Sequence, residues 1–210
     1  MLIKKGAEAN LYLEEWQDRK VIMKRRLPKA YRLPQLDKAV RTQRTLHEPV
    51  LIHRAKEAGV PTPTIYMIDT ADSNIIMEYV DGIQIKKALN TMPSKERLQL
   101  CRRIGTLIGR LHKHGIIHGD LTTSNMILTR NGKIYFVDFG LGEFSEESEI
   151  RGVDLHLMKR ALQSTHYKFA KECFEAVTAG YSEAVGKETA DKVLEKVNQI
   201  ERRGRYIEER

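Results

Sequence analysis

The alternation of apolar and polar positions divides the chain into a strand-rich first part and a helix-rich second part. The segments LYLEEW and KVIMKRRL, joined through residues 17–19, predict a β-hairpin. TIYMIDT and NIIMEYV predict two more strands around the turn-forming ADS. Asp81-Gly82 then interrupts the pattern, so we place residues 1–80 in a small β-rich lobe and residues 81–210 in a second lobe.

Helical periodicity predicts most of what remains. Residues 36–58 carry helix formers, but Pro49 falls inside this run, which predicts a kink or two shorter helices. In SKERLQLCRRIGTLIGRLHKHG, apolar side chains recur at helical spacing, with Ser94 as the expected N-cap and Gly115 as the expected stop. VDLHLMKRALQ, KFAKECFEAVTAGYSEAV and ETADKVLEKVNQIERR are helical in period as well, so the second lobe is predicted to be mostly helix.

The segment HGDLTTSNMILTRNGKIYFVDFG, residues 118–140, combines a hairpin with acidic and amide groups. An Asn-Gly pair between short β-rich apolar runs is the strongest local hairpin signal. We therefore predict antiparallel strands in MILT and KIYFV, with Asn131 and Gly132 as the two turn residues. Counting outward from this turn gives three pairs of opposed residues: Thr129 with Ile134, Met126 with Val137, and Asn125 with Asp138.

This register predicts a metal site. Directly opposed residues have Cβ atoms about 5 Å apart, so the Asn125 amide and the Asp138 carboxylate are expected to share one hard cation. Magnesium prefers oxygen ligands and often takes only one or two from protein, with phosphates supplying others. Asp120, on the entering loop, is expected to face whatever the metal holds. An Asp after a strand is also a common turn residue, but H-G-D-x4-N and D-F-G on one hairpin favour phosphate chemistry.

Composition narrows the class of protein. With 210 residues and 41% hydrophobic side chains, the chain suits one large domain or two lobes around a real core. The formal charge of +8 permits nucleic acid or acidic partners but selects none. Cys101 and Cys173 form no C-x-x-C pattern, which argues against a disulfide framework or structural zinc. Lacking a long apolar segment, the chain is expected to be a soluble cytoplasmic protein without a membrane partner.

Five further residues are candidates for nucleotide binding. Lys24 is an ammonium that could lie over phosphates, although taken alone it reads as a solvated lysine at a strand end. Glu48 is its candidate partner on a helix behind the sheet, or else an exposed helix charge. Gly6 in KKGAEAN could form a phosphate-covering turn with backbone N–H groups, or a simple turn. Glu78 and Tyr79, at the lobe boundary, could hydrogen-bond an adenine edge through extended backbone.

Two other groups are given structural or mixed interpretations. The histidines near the end of the HKHG helix do not share one face, so a metal site is about ten times less expected than separate structural roles; they are His112, His114 and His118. His118 is expected to support the catalytic loop. The arginine-rich end, including Arg202, Arg203 and Arg205, is equally suited to RNA phosphate, an acidic partner or a solvated helix face, and GRYIEER is expected to be an exposed tail.

The order of these residues resembles the protein-kinase fold, with motifs similar to V-A-I-K, H-R-D-x4-N and D-F-G. The resemblance runs from Gly6 to about Leu162 and predicts an α+β, bilobal architecture lacking the full activation segment. More narrowly, GAEA, GVPTP, HGDLTTSN and the arginine-rich end resemble the small atypical kinase/ATPase subunits of the KEOPS complex, the p53-regulating-kinase-like family.

The resemblance implies a role for each residue. Asp120 would be the catalytic base or water-positioning group, Asn125 and Asp138 would hold Mg²⁺, and Lys24, paired with Glu48, would bind the phosphates of ATP. The family implies that ATP hydrolysis or serine/threonine kinase activity, including autophosphorylation, supports threonylcarbamoyladenosine formation in tRNA. The implied partners are the threonylcarbamoyl transferase subunit, a small subunit on the N-lobe, and tRNA through the complex.

Departures from ordinary protein kinases leave alternatives open. Gly119 stands where the common motif has Arg, and only about a dozen residues separate Gly140 from a helix expected near Val153, with no A-P-E. A platform for peptide substrates is therefore expected to be missing. The first alternative is a small-molecule phosphotransferase of the aminoglycoside or choline kinase type, which usually has a larger helical lobe. The second is a non-catalytic nucleotide-sensing scaffold, which would need no general base.

Overall fold

The computed structural model describes the backbone of residues 1–208 and the side-chain environments of residues 1–203. The strands in chain order are β1 Leu2–Lys5, β2 Asn10–Trp16, β3 Arg19–Arg25, β4 Ile65–Asp69, β5 Asn74–Glu78, β6 Gly82–Gln84, β7 Ile116–Ile117, β8 Met126–Thr129, β9 Ile134–Phe136 and β10 Glu143–Phe144. The helices are α1 Pro34–Glu57, α2 Ile85–Thr91, α3 Ser94–Lys113, α4 Ser148–Thr165, α5 Ala170–Val185 and α6 Lys187–Glu208, with a single 3₁₀ turn over Thr123–Asn125.

An antiparallel five-stranded sheet in the order β1-β2-β3-β5-β4 forms the first part of the chain. The predicted β2–β3 hairpin is present and closes through Gln17 and Asp18, whose φ angles are 49° and 59°. Two successive positive φ values match the twist of a right-handed hairpin. Strand β1 was not predicted, because all four of its residues are exposed and give no alternating pattern.

Helix α1 is continuous through Pro49, so of the two predicted outcomes the division into two shorter helices is wrong, and the kink stays a prediction. A proline inside a helix costs about 3 kcal/mol, since it removes one backbone hydrogen bond and crowds the preceding turn. Leu51 and Ile52, just beyond it, are fully buried in the core. Burying such side chains contributes about 1.5–3 kcal/mol each, which is enough to hold the helix together across the proline.

Helices α3 to α6 form most of the second part, as predicted. Ser94 is the first helical residue and not the predicted N-cap, because Pro93 occupies the cap position and no side chain caps the helix. Gly115 does close α3, with φ at 68° and its N–H donated to the His112 carbonyl. Helices α3 and α5 contact each other at glycines, and this contact was not predicted from the sequence. A Cβ on Gly105 would lie 1.9 Å from the Val177 carbonyl oxygen, so the two backbones are in contact.

The hairpin of β8 and β9 exists, but its predicted register is wrong by one residue. The observed opposed pairs are Met126 with Phe136, Ile127 with Tyr135 and Leu128 with Ile134. Thr129 N–H donates to the Lys133 carbonyl and Gly132 N–H to the Thr129 carbonyl. Only Gly132 of the turn has positive φ, at 77°. The loop is thus three residues long with glycine in the left-handed position, the next commonest hairpin closure after the two-residue turn.

The segment between Gly140 and the next helix is shorter than expected, because α4 begins at Ser148 and not near Val153. Residues 141–147 include β10, which pairs with β7. Ser145 N–H also donates to the Gly115 carbonyl. The segment is therefore tied to the rest of the chain along its short length, and nothing in it resembles a long activation loop.

Helix α6 runs through Glu208, so the backbone of residues 204–208 is helical. The predicted exposure of GRYIEER concerns side chains that lie outside the described residues. Arg202 and Arg203 are exposed, and Arg203 Nη1 lies 3.0 Å from Glu149 Oε1. The side chains of Arg205 and Arg210 lie outside the described residues. Within the part of the chain that is described, no helix is long and apolar enough to cross a membrane.

Candidate active site

A cleft of about 230 Å³ brings together residues from the sheet, from α1 and from the segment around the β8–β9 hairpin. Its basic lining comes from four side chains: Lys4, Lys24, Arg26 and Arg44. Its acidic lining comes from three: Glu8, Asp120 and Asp138. Gly6, Gly140 and small apolar groups complete the wall. The cleft therefore suits a ligand with several negative charges and a cation of its own.

Lys24 is buried at the centre of this cleft, with only 5% of its surface exposed. The reading of Lys24 as a solvated strand-end lysine is therefore wrong. Its Nζ lies 2.7 Å from Glu48 Oε1 and 2.5 Å from Asp138 Oδ1. Glu48 lies in α1 directly before Pro49 and is only 1% exposed. One ammonium thus bridges two carboxylates from distant parts of the chain.

The electrostatics of this bridge keep both partners charged. Burial opposes the charged form of Lys24, yet the carboxylates of Glu48 and Asp138 outweigh it and raise its pKa above the ordinary value. Burial likewise opposes ionisation of Asp138, but the Lys24 ammonium holds the pKa of that carboxyl below its usual range. Asp138 also sits at φ 66°, a left-handed conformation uncommon for a residue other than glycine. Such strained positions cluster at functional sites.

Asp120 and Asn125 form a second pair, held by a turn of 3₁₀ helix. Asn125 Nδ2 donates to Asp120 Oδ2 at 2.7 Å and to the Asp120 backbone carbonyl at 3.1 Å. Its amide oxygen is therefore left for another partner. Because the register differs from the predicted one, Asn125 lies opposite Val137, whose N–H donates to the Asn125 carbonyl, and not opposite Asp138. Asp138 follows one residue later, where the positive φ turns the chain.

His118 contacts the loop that carries Asp120, in line with the supporting role expected for it. The ring is fully buried, its Nδ1 accepts the Asp120 N–H at 3.3 Å, and its Nε2 lies 3.2 Å from the Val137 carbonyl oxygen. Burial lowers the pKa of the imidazole below its ordinary value, which the surrounding carboxylates only partly offset. A neutral ring can accept at Nδ1 and donate at Nε2 at once, so it joins the Asp120 loop to the segment preceding Asp138.

Asp154 on α4 also fixes the loop that carries Asp120, through hydrogen bonds to His118 and Gly119, and the sequence did not reveal this role. Its Oδ2 accepts the His118 N–H at 2.9 Å and its Oδ1 accepts the Gly119 N–H at 2.9 Å. His112 Nε2 lies 3.1 Å from Oδ2, and both side chains are fully buried. The only signal for Asp154 in the sequence was a charged residue beside the apolar stripe of VDLHLMKRAL.

We predict that Asp154→Ala lowers the free energy of unfolding by about 3 kcal/mol or more, because it leaves buried N–H groups and a buried imidazole without their acceptor. Asp191→Ala, a change at an exposed carboxylate, serves as the control. Urea denaturation measures both. An Asp154→Ala chain as stable as the control would show that the loop does not depend on this carboxylate.

His112 and His114, the other two histidines considered as metal ligands, have separate partners. His112 Nδ1 lies 3.0 Å from the Tyr181 hydroxyl, and His114, which is exposed, lies 2.8 Å from the Arg110 carbonyl of its own helix. Among the described residues, no group of three or more His, Cys, Asp or Glu side chains is arranged to hold a metal ion.

The turn after β1 lines the cleft, but Gly6 itself has no free N–H, since it donates to the Ala9 carbonyl at 3.1 Å. The Gly6 N–H is therefore not available to phosphate in this conformation, and the phosphate-covering role of the turn through its other backbone N–H groups stays a prediction. The turn is held by Arg44, whose Nη1 lies 2.5 Å from Glu8 Oε2, and by Lys29, which donates to the Ala7 carbonyl. These basic residues were not singled out from the sequence.

Glu78 and Tyr79 lie away from the lining of this cleft. The Glu78 carboxylate accepts the Thr64 N–H at 3.0 Å, and the Glu78 N–H donates to the Thr64 carbonyl at 2.8 Å. Tyr79 is 37% exposed. Their contact with an adenine edge stays a prediction from position at the end of β5.

Comparison with known proteins shows the family to which the chain belongs. The profile of the ABC1 atypical kinase-like domain matches residues 48–178. The chain is 50% identical, over 99% of its length, to KEOPS complex subunit Bud32 of Pyrococcus abyssi and covers 96% of that protein. It is 46% identical to a probable bifunctional tRNA threonylcarbamoyladenosine biosynthesis protein of Methanothermobacter thermautotrophicus, of which it spans 37%.

Among solved structures, the Rio2 kinase from Chaetomium thermophilum matches with a TM-score of 0.63 and 17% sequence identity, covering 94% of this chain and 71% of that one. At this identity the match shows the fold alone, and it confirms the predicted α+β kinase-like architecture. The full-length identity to the archaeal subunit shows more. The chain belongs to the family of KEOPS complex subunit Bud32, a family of atypical kinase-like proteins.

Proposed function

We propose that this protein is a Mg²⁺-dependent ATPase and atypical serine/threonine kinase that supports threonylcarbamoyladenosine modification of tRNA within a KEOPS complex. One observation carries the proposal. A single cleft is lined by a buried Lys24 that bridges Glu48 and Asp138, and by Asp120 paired with Asn125. Phosphoryl transfer needs this set of groups, because its catalysis is almost entirely positioning and charge stabilisation.

The donor chemistry of the cleft fits ATP with magnesium. Asn125 keeps its amide oxygen free of the Asp120 contact, and Asp138 brings a carboxylate with a lowered pKa, so both offer the oxygen ligands that Mg²⁺ prefers. When bound, the metal would neutralise charge on the transferred phosphoryl group. Lys24 would hold phosphate oxygens, with Glu48 fixing its position. Asp120 would orient the attacking hydroxyl or water and accept its proton.

In this proposal the main phosphoryl acceptor is water, and a peptide hydroxyl is secondary. Only residues 141–147 separate Gly140 from α4, and they are pinned by the β10–β7 pairing and by the Ser145–Gly115 hydrogen bond. Such a short, tied segment offers little surface on which a peptide could dock. ATP hydrolysis, with autophosphorylation as a secondary reaction, is the activity that this arrangement favours.

The names of the relatives support a role in a KEOPS complex and in tRNA modification, and the proposed partner subunits rest on the resemblance of the sequence motifs to that family. One relative is named as a KEOPS complex subunit and another as a bifunctional tRNA threonylcarbamoyladenosine biosynthesis protein. For this chain we propose the threonylcarbamoyl transferase as the main partner, a small subunit on the N-lobe, and tRNA reached through the complex. The proposed location is the cytoplasm. A phosphotransferase acting on aminoglycosides or choline is the competing assignment.

ATP turnover by the purified chain tests the proposal. We expect Mg²⁺-dependent phosphate release that rises strongly when the transferase and tRNA are added. Lys24→Met should remove it, whereas Lys20→Met, at an exposed lysine of the same strand, should not. Turnover stimulated by an aminoglycoside or by choline would instead favour the small-molecule assignment. A chain that binds ATP without turning it over under any of these conditions would support a nucleotide-sensing scaffold.

A further inference from the structure

The 3₁₀ turn over Thr123–Asn125 is attached to His166, the C-cap residue of helix α4. The Nε2 atom of His166 lies 3.2 Å from Thr123 Oγ1, and both residues are only 2% exposed. In the sequence, Thr123 lies between Asp120 and Asn125. The contact with His166 therefore holds the segment that joins these two residues of the candidate site.

Both ring nitrogens of His166 have a partner. Its Nδ1 lies 2.8 Å from Asn90 Oδ1 on α2. Because an amide oxygen can only accept, Nδ1 carries the proton and Nε2 accepts the hydroxyl proton of Thr123. This arrangement needs a neutral ring. Burial lowers the pKa of His166, and the positive charges of Lys86 and Arg97 lower it further, so the neutral form is the favoured one.

The ring of His166 is itself held by packing. It stacks on Phe169, with ring centroids 5.6 Å apart and an angle of 27° between the ring planes. The Phe169 N–H donates to the His166 carbonyl at 3.0 Å. The Arg97 guanidinium lies 3.7 Å from the centroid of the Phe169 ring, a cation–π contact. His166 is thus a fixed point in the helical part of the chain to which the turn is tied.

The position of this turn bears directly on Asp120. His118 and Asp154 hold the loop at its start, where the Asp120 N–H donates to His118 Nδ1. The contact of His166 holds it further along, at Thr123. The Asn125 amide follows and donates to Asp120 Oδ2 at 2.7 Å. A shift of the turn would therefore move the Asp120 carboxylate, and a displacement of about 1 Å at a reacting group can cost about 10²-fold in rate.

We propose that His166 is a positioning residue, which holds Thr123 and through it fixes Asn125 and Asp120 in the geometry that ATP turnover needs. This inference rests on the proposed function. Gln84 Nε2 also donates to the Ser124 carbonyl at 3.1 Å, so the turn keeps a second attachment when the contact of His166 is lost. The turn should then stay formed but lose its fixed position.

Steady-state ATP turnover and equilibrium ATP binding test the inference together. Thr123→Val replaces the hydroxyl by a methyl group and should lower kcat by about tenfold or more, with ATP affinity within about twofold. His166→Phe keeps a ring against Phe169 but removes both nitrogens, and it should have the same effect. Asn90 is exposed, so water replaces its lost partner in that variant. Thr123→Ser restores the hydroxyl and should recover most of the rate.

Thr62→Val is the matched control for a general loss of stability. Thr62 is 1% exposed, and its Oγ1 donates to the Ile52 carbonyl at 2.9 Å. The control variant therefore loses a buried hydroxyl contact as well, at a threonine outside the cleft lining. It should lower the melting temperature about as much as Thr123→Val and keep kcat within about twofold. An equal loss of kcat in both variants would overturn the inference.

A double-mutant cycle separates one shared contact from two independent effects. If His166 acts through Thr123, the variant with both His166→Phe and Thr123→Val should turn over ATP about as fast as either single variant. Losses of rate that multiply would overturn the inference. If His166→Phe does not fold, the comparison of Thr123→Val with Thr123→Ser decides alone. If the unaltered chain turns over no ATP, the proposed function fails and the inference with it; if Thr123→Val turns over ATP at the unaltered rate, only the inference fails.

Discussion

Asp138→Ala is expected to abolish Mg²⁺-dependent nucleotide turnover. The substitution removes one of two protein ligands proposed for the metal, so the charge that develops on the phosphoryl group is left unneutralised. It also removes one of the two carboxylates that hold Lys24, while Glu48 stays in place at 2.7 Å. Binding of ATP without magnesium should therefore survive, since the lysine remains charged and gains freedom to reach phosphate.

Turnover and Mg²⁺-free ATP affinity measure the two halves of this expectation. Asp72→Ala, at an exposed carboxylate in the loop between β4 and β5, is the control and should leave both unchanged. Asp138→Asn keeps the shape and one neutral oxygen, so it should retain weak activity at high magnesium. Normal turnover by Asp138→Ala would refute the assignment of Asp138 as a metal ligand.

Asp120→Ala should lower turnover by about 10²-fold or more while leaving ATP affinity nearly intact, because orienting a nucleophile acts mainly on the transition state. The Asn125 amide also donates to the Asp120 backbone carbonyl, which the substitution keeps. The local fold should therefore persist.

Steady-state kinetics together with equilibrium binding give the required separation of rate from affinity for Asp120. Asp120→Asn is the matched variant, since it preserves size and removes only the basic carboxylate. We expect both variants to be slow. A large loss of ATP affinity at an unchanged rate would place Asp120 in ground-state binding and contradict the proposed role.

The loop that carries Asp120 and Asn125 was the part of the candidate site most open to prediction from the sequence. Asp120, Asn125 and Asp138 lie within one short stretch of sequence, so the local hairpin alone brings them close together. The hairpin was also foreseen, but its register was not, because an Asn-Gly pair fits both a two-residue turn and the observed three-residue turn ending on Gly132. Which one forms depends on packing that no short segment contains.

Residues whose role depends on distant partners were harder to foresee. Lys24 looks like one surface charge among several until the sheet, α1 and the segment at Asp138 are assembled around it. His166 gave no signal for the same reason. Pro49 favours a broken helix when only its neighbours in sequence are considered, but the burial of Leu51 and Ile52 keeps α1 continuous. In each case tertiary contacts outweighed local preference, and a single sequence records those contacts only indirectly.

The glycine contact between α3 and α5 links the spacing of these two helices to the candidate site. Since a single methyl group on Gly105 would meet the Val177 carbonyl, the helix spacing is set by bare backbone and has no slack. Seven residues further along α3, His112 contacts Tyr181 of α5 and also Asp154, which supports the loop that carries Asp120. A side chain at Gly105 that pushed α3 and α5 apart would therefore also loosen the loop that carries Asp120. The α3–α5 contact is thus a position outside the cleft at which a substitution would disturb the candidate site.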